Sequence, residues 1–392
     1  MSKSSYESLG ASATKEGIHN ALESAGISHD TGLFAVINDD LAGDPSYCSV
    51  VHCDGAGTKS LIAYLHFSET KDPSVFAGLS QDALVMNLDD VYCLGTPESM
   101  VLANAIARNA KIISDEAIGE LIKSYKNLCT KLFELGVNVQ LSGGETADMG
   151  DVVRSLVVDA VLTARMKRET LVNTRNIQAG DVIVGLSSTG QASYEEKPNS
   201  GIGSNGLTLA RHALLSSHYR ENFVESSVPN PDPNISYRGP FRTTDTPEGL
   251  GMSVGEALLS PTRTYSPILA KVFESLGSDV HGAIHVTGGA LSKVLRFGPG
   301  GLKFIKDNLF ATPALFSLIQ EHGDVSWEEM YQVFNMGQRF ELYVPENRAE
   351  EVISTSKAFN VDAQIIGRVE NNNSSENIVE VKSQNGNFNY TL

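Results

Sequence analysis

The sequence predicts an α+β protein of two domains, and three observations carry that prediction. The chain has 392 residues, and at roughly 100–200 residues per domain that makes two or three. Strands that run into glycine-rich turns alternate with amphipathic helices. The pattern restarts after the basic stretch Arg165-Met166-Lys167-Arg168. The boundary therefore falls near 168–178, with an N-terminal domain over 1–168 and a C-terminal domain over 169–392.

In the first half, YCSVVH (47–52) reads as a strand that enters Asp54-Gly55-Ala56-Gly57-Thr58-Lys59. A helix is predicted from near Ser80 to Leu94, with Gly95 and Pro97 as stop signals. VLANAIA (101–107) is a strand. The clearest helix follows. Ser114 is its N-cap, Asp115 and Glu116 favour its positive end, and Gly136 is its C′ glycine. Ile118, Leu121, Ile122, Tyr125, Leu128, Cys129 and Leu132 give it one buried stripe. VNVQL (137–141) is a strand running into Ser142-Gly143-Gly144-Glu145-Thr146, and 155–164 is another.

In the second half, AGDVIVGLSSTG (179–190) is a turn, a strand and a glycine-rich end. Helices near 206–215 and 264–276 precede a strand at 280–286, which ends in Thr287-Gly288-Gly289. A helix centred on Trp327–Phe334, the strand FELYVP (340–345), a helix over 348–354 and a strand over 362–369 complete this half. Two polar stretches, 191–203 and 216–250, read as solvated loops or lids. The tail from Asn371 is polar until IVEVK.

Composition narrows the class. Apolar residues are 41% and charged residues 20%, ordinary for a globular chain. A net charge of −17 repels a phosphate backbone, so a dedicated nucleic-acid or membrane-surface protein is not expected. MSKSSYESLG has no hydrophobic signal region, and no run approaches the ~18 apolar residues of a membrane span. The expectation is a soluble, cytoplasmic protein. Cys48, Cys53, Cys93 and Cys129 form no CxxC pair. Cys53 and Cys93 read as buried free thiols.

Several segments are candidates for chemistry. In the 54–59 turn, glycines let backbone N–H groups approach an anion, Thr58 offers a hydroxyl and Lys59 a charge. Asp54 repels an anion unless a metal bridges it to phosphates. The alternative is a tight turn with a solvated Lys–Asp pair. Asp82 and Asp89, seven residues apart, project from nearly one helical stripe. Asp82 serves equally as a helix-dipole partner. The adjacent Asp89 and Asp90 in an apolar helix point to metal ligation, since burial without a cation is costly. Gly143, Gly144, Glu145 and Thr146 offer donors and one carboxylate, a weak signal alone. Gly201-Ile-Gly203-Ser-Asn-Gly206 matches GxGxxG but lacks the preceding strand of a dinucleotide site. Ser204, Asn205 and Gly206 open a helix, where anions bind, although Ser204 serves equally as an N-cap. His285 stands two residues before the Thr287-Gly288-Gly289 turn; a lone strand histidine is otherwise more often structural.

Taken together, these segments resemble the phosphoribosylformylglycinamidine cyclo-ligase (aminoimidazole ribonucleotide synthetase) family. The blocks are SYESLG, HCDGAGTKS, QDALVMNLDDVYCLGTPE, LSGGETADM, AGDVIVGLSSTG with SNGLTLAR, LLSPTRTY, IHVTGGAL and EMYQVFNMG, in family order across almost the whole chain. The resemblance implies a two-domain ATP-binding fold whose N-terminal sheet forms an intersubunit barrel in a homodimer, with ATP in a cleft between the domains. It implies that ATP with Mg2+ phosphorylates the formamide oxygen of formylglycinamidine ribonucleotide. The amidine nitrogen then closes the imidazole ring, and ADP and phosphate depart. By the same resemblance Asp54, Asp82, Asp90 and Glu145 hold magnesium. Gly55, Gly57, Thr58, Lys59, Gly143, Gly144 and Thr146 bind ATP phosphates, with Lys59, Asp90 and His285 catalytic. Ser204, Asn205, Gly206, Thr287, Gly288 and Gly289 face the substrate.

The chain departs from the family pattern at identifiable points. Gly203 stands where the family has a histidine before Ser-Asn-Gly, Asp89-Asp90 where it has Asn-Asp, and Gln338-Arg339-Phe340 where it has GxG. The early basic, glycine-rich segment is reduced to 30–35. The alternatives are a selenophosphate synthetase-like or thiamine monophosphate kinase-like enzyme, or a non-catalytic paralogue. The first expects a reactive cysteine near the N-terminus, whereas the first cysteine here is Cys48.

Overall fold

The computed structural model describes residues 4–12, 21, 24–25 and 32–392. Asp30 and Thr31 of the early segment lie outside the described residues. Two sheets organise the described residues. The first contains β1 (Ile37–Asp39), β2 (Tyr47–Gly55), β3 (Ser99–Arg108), β4 (Val139–Asp148) and β5 (Leu156–Lys167), in the order β1-β2-β5-β3-β4. β3 and β4 are parallel, and the crossover between them contains the helix Asp115–Glu134. The second sheet contains β6 (Asp181–Ser187), β7 (Gly282–His285), β8 (Leu302–Lys306), β9 (Gln338–Pro345), β10 (Ala363–Asn371), β11 (Ile378–Ser383) and β12 (Gly386–Tyr390). Its order is β12-β11-β8-β10-β6-β9-β7.

Period-two burial explains the first sheet. Along β5, Leu156, Val158, Ala160, Leu162, Ala164 and Met166 are buried, and the residues between them are more open. The buried face receives the helix Ala77–Tyr92, against which Asp115–Glu134 packs. In the latter helix, Ser114 caps Ala117 N–H and Gly136 takes φ +84 at the exit, as expected. Of the predicted stripe, Ile118, Leu121, Tyr125, Cys129 and Leu132 are buried, but Ile122 is 49% exposed. The other sheet face leaves Val51, Val101 and Val157 exposed. The sheet is open, with no closed barrel among the described residues. In the second domain β6 is buried at every residue, which explains its unbroken apolar run.

Several expectations need correction. Ser142-Gly143-Gly144-Glu145-Thr146 is not a turn but continues β4, paired with β3. The pairing supplies backbone partners that its glycines leave unsignalled. Cys53 is exposed, because it lies on the open face of β2. Cys93 is buried as expected. The helix Lys59–Thr70 was not foreseen. It begins inside the glycine turn and buries Lys59, Ser60 and every residue from Ile62 to His66, so no single apolar stripe marks it. β8, β12 and the helix Ala314–Gly323 were also missed.

Candidate active site

The site forms where the helix Ala77–Tyr92 meets the C-terminal domain. Asp82, Asp89 and Asp90 are all buried on it. Asp82 Oδ1 accepts from Lys59 Nζ at 2.8 Å, Thr262 N at 2.8 Å and Thr262 Oγ1 at 2.6 Å. Lys59 Nζ also donates to the Ser260 carbonyl at 2.6 Å. One turn-pair further along, Asp89 accepts from Thr264 Oγ1 at 2.8 Å and Tyr265 N at 2.9 Å. The seven-residue spacing thus places both carboxylates against one irregular segment, 260–265. Burial pushes the Asp89 carboxyl up to about 7, against the Thr264 and Tyr265 bonds that favour its charge.

Asp90 faces a different group. Its Oδ1 lies 2.7 Å from His285 Nδ1, and Oδ2 lies 3.6 Å from His52 Nε2. Burial opposes its charge, yet the Lys293 charge and the His285 bond hold Asp90 well below the usual carboxylate range. An ionised carboxylate only accepts, so His285 carries its proton on Nδ1 and presents a bare lone pair at Nε2. That nitrogen is buried without a partner. Burial lowers the His285 pKa to about 4, against the bond to Asp90, so the ring is neutral at neutral pH. Phe340 stacks on it at 5.9 Å between centroids.

The glycine segments surround this centre unevenly. Thr58 Oγ1 lies 3.2 Å from Thr208 Oγ1 at the start of the C-terminal helix Leu207–Leu214. Gly57 adopts φ +57 and a Cβ there would meet nothing within 4 Å, which leaves open space over the turn. Gly55 is instead packed against Asp159. Gly206, at φ +76, is the N-cap residue of Leu207–Leu214. Ser204 is therefore not the cap; its hydroxyl pairs with Thr262 Oγ1 at 3.0 Å. Asn205 Oδ1 accepts from Arg339 Nη2 at 3.3 Å. Thr287 Oγ1 accepts from the half-buried Lys293 ammonium, Gly288 is open, and Gly289 at φ +88 begins the turn Ala290–Arg296.

The structure divides the four carboxylates expected to share a metal. Asp82 is tied to Lys59 and Thr262, and Asp90 to the two histidines. Asp54 and Glu145 lie in adjacent rows across the sheet, Asp54–Ala160–Asn104–Gly144 and Gly55–Asp159–Ala105–Glu145. Adjacent rows point to opposite faces, so these two cannot grip one ion within a chain. Among the described residues no cluster of three or more His, Cys, Asp or Glu side chains could hold a metal. Gly143, Gly144, Glu145 and Thr146 are exposed on edge strand β4, outside the Asp82–Asp90 cluster. Lys59 is not the solvated lysine of the tight-turn alternative: its ammonium is fully buried, bonded to Asp82 and, across the domain boundary, to the Ser260 carbonyl. Sequence reasoning missed Thr262, Thr264, Lys293 and His52. The LLSPTRTY and IHVTGGAL blocks flag the neighbourhood of the first three, and His52 opens the HCDGAGTKS block, but nothing in their spacing assigns them partners.

The comparisons with known proteins agree with this architecture. Residues 16–166 match the N-terminal domain of AIR synthase related protein, and residues 178–380 match its C-terminal domain. The chain is 30% identical over 324 residues to a phosphoribosylformylglycinamidine cyclo-ligase of Methanocaldococcus jannaschii, covering 82% of this chain and 78% of that one. It is 31% identical to one of Shouchella clausii over 81% of this chain and 79% of the relative. Among solved structures, a HypE–HypF complex superposes with a TM-score of 0.55 at 14% identity, covering 96% and 98% of the two chains. AaThiL complexed with AMPPCP and TMP gives 0.53 at 13% identity over 95% and 96%. At that identity these two show the fold alone. With both domain matches in order over most of its length, the chain belongs to the AIR synthase related protein family.

Proposed function

We propose that this chain is an ATP-dependent cyclo-ligase of purine biosynthesis, converting formylglycinamidine ribonucleotide to aminoimidazole ribonucleotide. The observation that carries the reading is its 30% identity, across both domains, to proteins of that name. The buried Asp90–His285 pair supplies a chemical counterpart. In this reaction the formamide oxygen attacks the γ-phosphorus of ATP, forming an O–P bond as ADP leaves. The amidine nitrogen then bonds to the formyl carbon, a proton is lost, and phosphate departs with the C–O bonding pair.

The residues take roles consistent with their geometry. His285 Nε2, neutral and unpartnered, accepts the proton from the attacking nitrogen, while Asp90 fixes its tautomer. Ser204, Asn205, Gly206, Thr287, Gly288 and Gly289 line the substrate side. The open turn at Gly57 and Thr58 receives the triphosphate, with Gly55 setting the turn against Asp159. Of the four expected metal ligands, Asp54 is the part-exposed one beside that turn. It would meet the magnesium of Mg-ATP, whose chemistry there is to neutralise phosphate charge. Glu145, Gly143, Gly144 and Thr146, at the open sheet edge, enter only through a second subunit. We assign that subunit to the open face of the first sheet, as a homodimer, and place the protein in the cytoplasm. No helix among the described residues is long and apolar enough to cross a membrane.

The test is direct. Purified protein is incubated with ATP, magnesium and formylglycinamidine ribonucleotide, and ADP and the aminoimidazole product are followed together. Stoichiometric formation of both is expected. ATP turnover that needs thiamine monophosphate or selenide instead would overturn the assignment.

A further inference from the structure

Arg339 is the most conspicuous group that the reading above leaves unused. It leaves β9 one residue before Phe340 and is 1% exposed. Nη2 reaches Met86 Sδ at 3.2 Å and Asn205 Oδ1 at 3.3 Å. Nε and Nη1 have no partner. No carboxylate among the described residues lies within ion-pair distance, although Asp89, Asp82 and Asp90 act on its charge from further off. A guanidinium has five N–H donors in a planar fork, and buried donors are costly to leave unmade.

The chain makes room for this group. Gly203 sits directly under the guanidinium: a Cβ there would lie 2.2 Å from Nη1 and 2.5 Å from Cζ. Gly203 also adopts φ +66, which a side chain disfavours. Thus Gly203 and Arg339 form one unit, a glycine floor and a cation laid on it. The unit reaches across to the N-terminal domain, since Met86 belongs to the helix Ala77–Tyr92. Two further unpartnered buried polar atoms, Asp82 Oδ2 and His285 Nε2, belong to the same helix–loop junction. Ser204 and Asn205, next along the loop, are half-buried and give this junction its access to solvent.

We propose that Arg339 is an anion-binding residue of the substrate side, taking a phosphate group of the ligand held by Ser204, Asn205 and Gly206. Planar guanidinium donors match phosphate oxygens, and the low local dielectric strengthens the contact. On binding, the phosphate supplies the acceptors that Nε and Nη1 lack. The proposal rests on the cyclo-ligase reading for the identity of its ligands. Those ligands offer two sources of the same chemistry, the ribose phosphate of the substrate and the γ-phosphoryl group of ATP.

Calorimetric titration of the full chain separates them without requiring turnover. Wild type, Arg339→Gln and Arg339→Lys are each titrated with formylglycinamidine ribonucleotide, its dephosphorylated nucleoside and a non-hydrolysable ATP analogue. Loss of a charged hydrogen-bond partner predicts about 10–100-fold weaker binding of one phosphate ligand to Arg339→Gln. Arg339→Lys recovers part of it, and the nucleoside binds both variants alike if the ribose phosphate is the source. A loss confined to the ATP analogue assigns Arg339 to the γ-phosphoryl group. Equal affinities across all three proteins, or no binding of either phosphate ligand to wild type, overturn the proposal. Gly203→Ala, which displaces the guanidinium without removing it, is the second variant should Arg339→Gln not fold. It must reproduce the same ligand-selective loss, or the proposal fails. Arginine-dependent phosphate binding without any cyclised product would sink the ligase reading alone.

Discussion

At the scale of single residues, His285 shows how a fold holds an imidazole neutral with one nitrogen left bare. Burial removes the charged form, and Asp90 at 2.7 Å fixes which nitrogen is bare. His285→Ala is expected to lower kcat by about 10²–10⁴-fold, the usual contribution of general acid–base catalysis, with ATP binding intact. A steady-state assay beside calorimetry checks both halves. The pH dependence has a definite sign. The folded pKa of about 4 lies below the ordinary 6.5. The unfolded chain therefore binds the extra proton more readily, and His285 favours folding fully above pH 6.5 and progressively less as pH falls toward 4. The acid limb of kcat belongs near pH 4 for the same reason, and a limb near 6.5 would contradict a buried base. The sequence placed His285 before an anion turn, but not its partner. Asp90 is 195 residues away, and only folding joins the two.

At the scale of elements, the helices Lys59–Thr70 and Ala77–Tyr92 act as one clamp. Lys59 and Asp82 join them, and Lys59 reaches Ser260 in the other domain. Removing one partner of a buried pair leaves the other charge stranded, so Lys59→Met is expected to destabilise the fold by about 3–5 kcal/mol. Denaturant titration measures the loss. Nucleotide affinity per folded molecule stays unchanged, because the ammonium faces Asp82 and a carbonyl rather than solvent. Local signals made much of this scale legible. Ser114 and Gly136 delimit a helix whose ends the structure keeps, and the strand read over 155–164 is β5. What stayed illegible has physical causes. The helix Lys59–Thr70 is buried on too many sides to show a stripe. The Gly143-Gly144 pair reads as a turn when only a neighbouring strand, β3, holds it extended. The adjacent carboxylates of 89 and 90 read as metal ligands because burial demands compensation; here a hydroxyl, a backbone N–H and a histidine supply it.

At the scale of the whole molecule, the first sheet leaves one face unfinished. Val51 and Val101 share a row through Thr163, and Val157 lies on the same face of β5. Such an apolar patch marks an interaction surface, and a second copy of the chain is the cover assigned above. Val101→Glu is expected to shift the particle mass from dimer to monomer in light scattering at micromolar concentration. A wild-type monomer under those conditions would refute the assignment. The grip of one helix on the opposite domain has a consequence for how such a chain can evolve. Asp82, Asp89 and Asp90 hold Thr262, Thr264, Tyr265 and His285 across the domain boundary, so the groups proposed for the chemistry are also rivets of the architecture. Selection for faster turnover must then work on positions where most changes loosen the protein, and selection for robustness must work where most changes slow it. Variation is expected to accumulate instead at exposed loop positions such as 228–234.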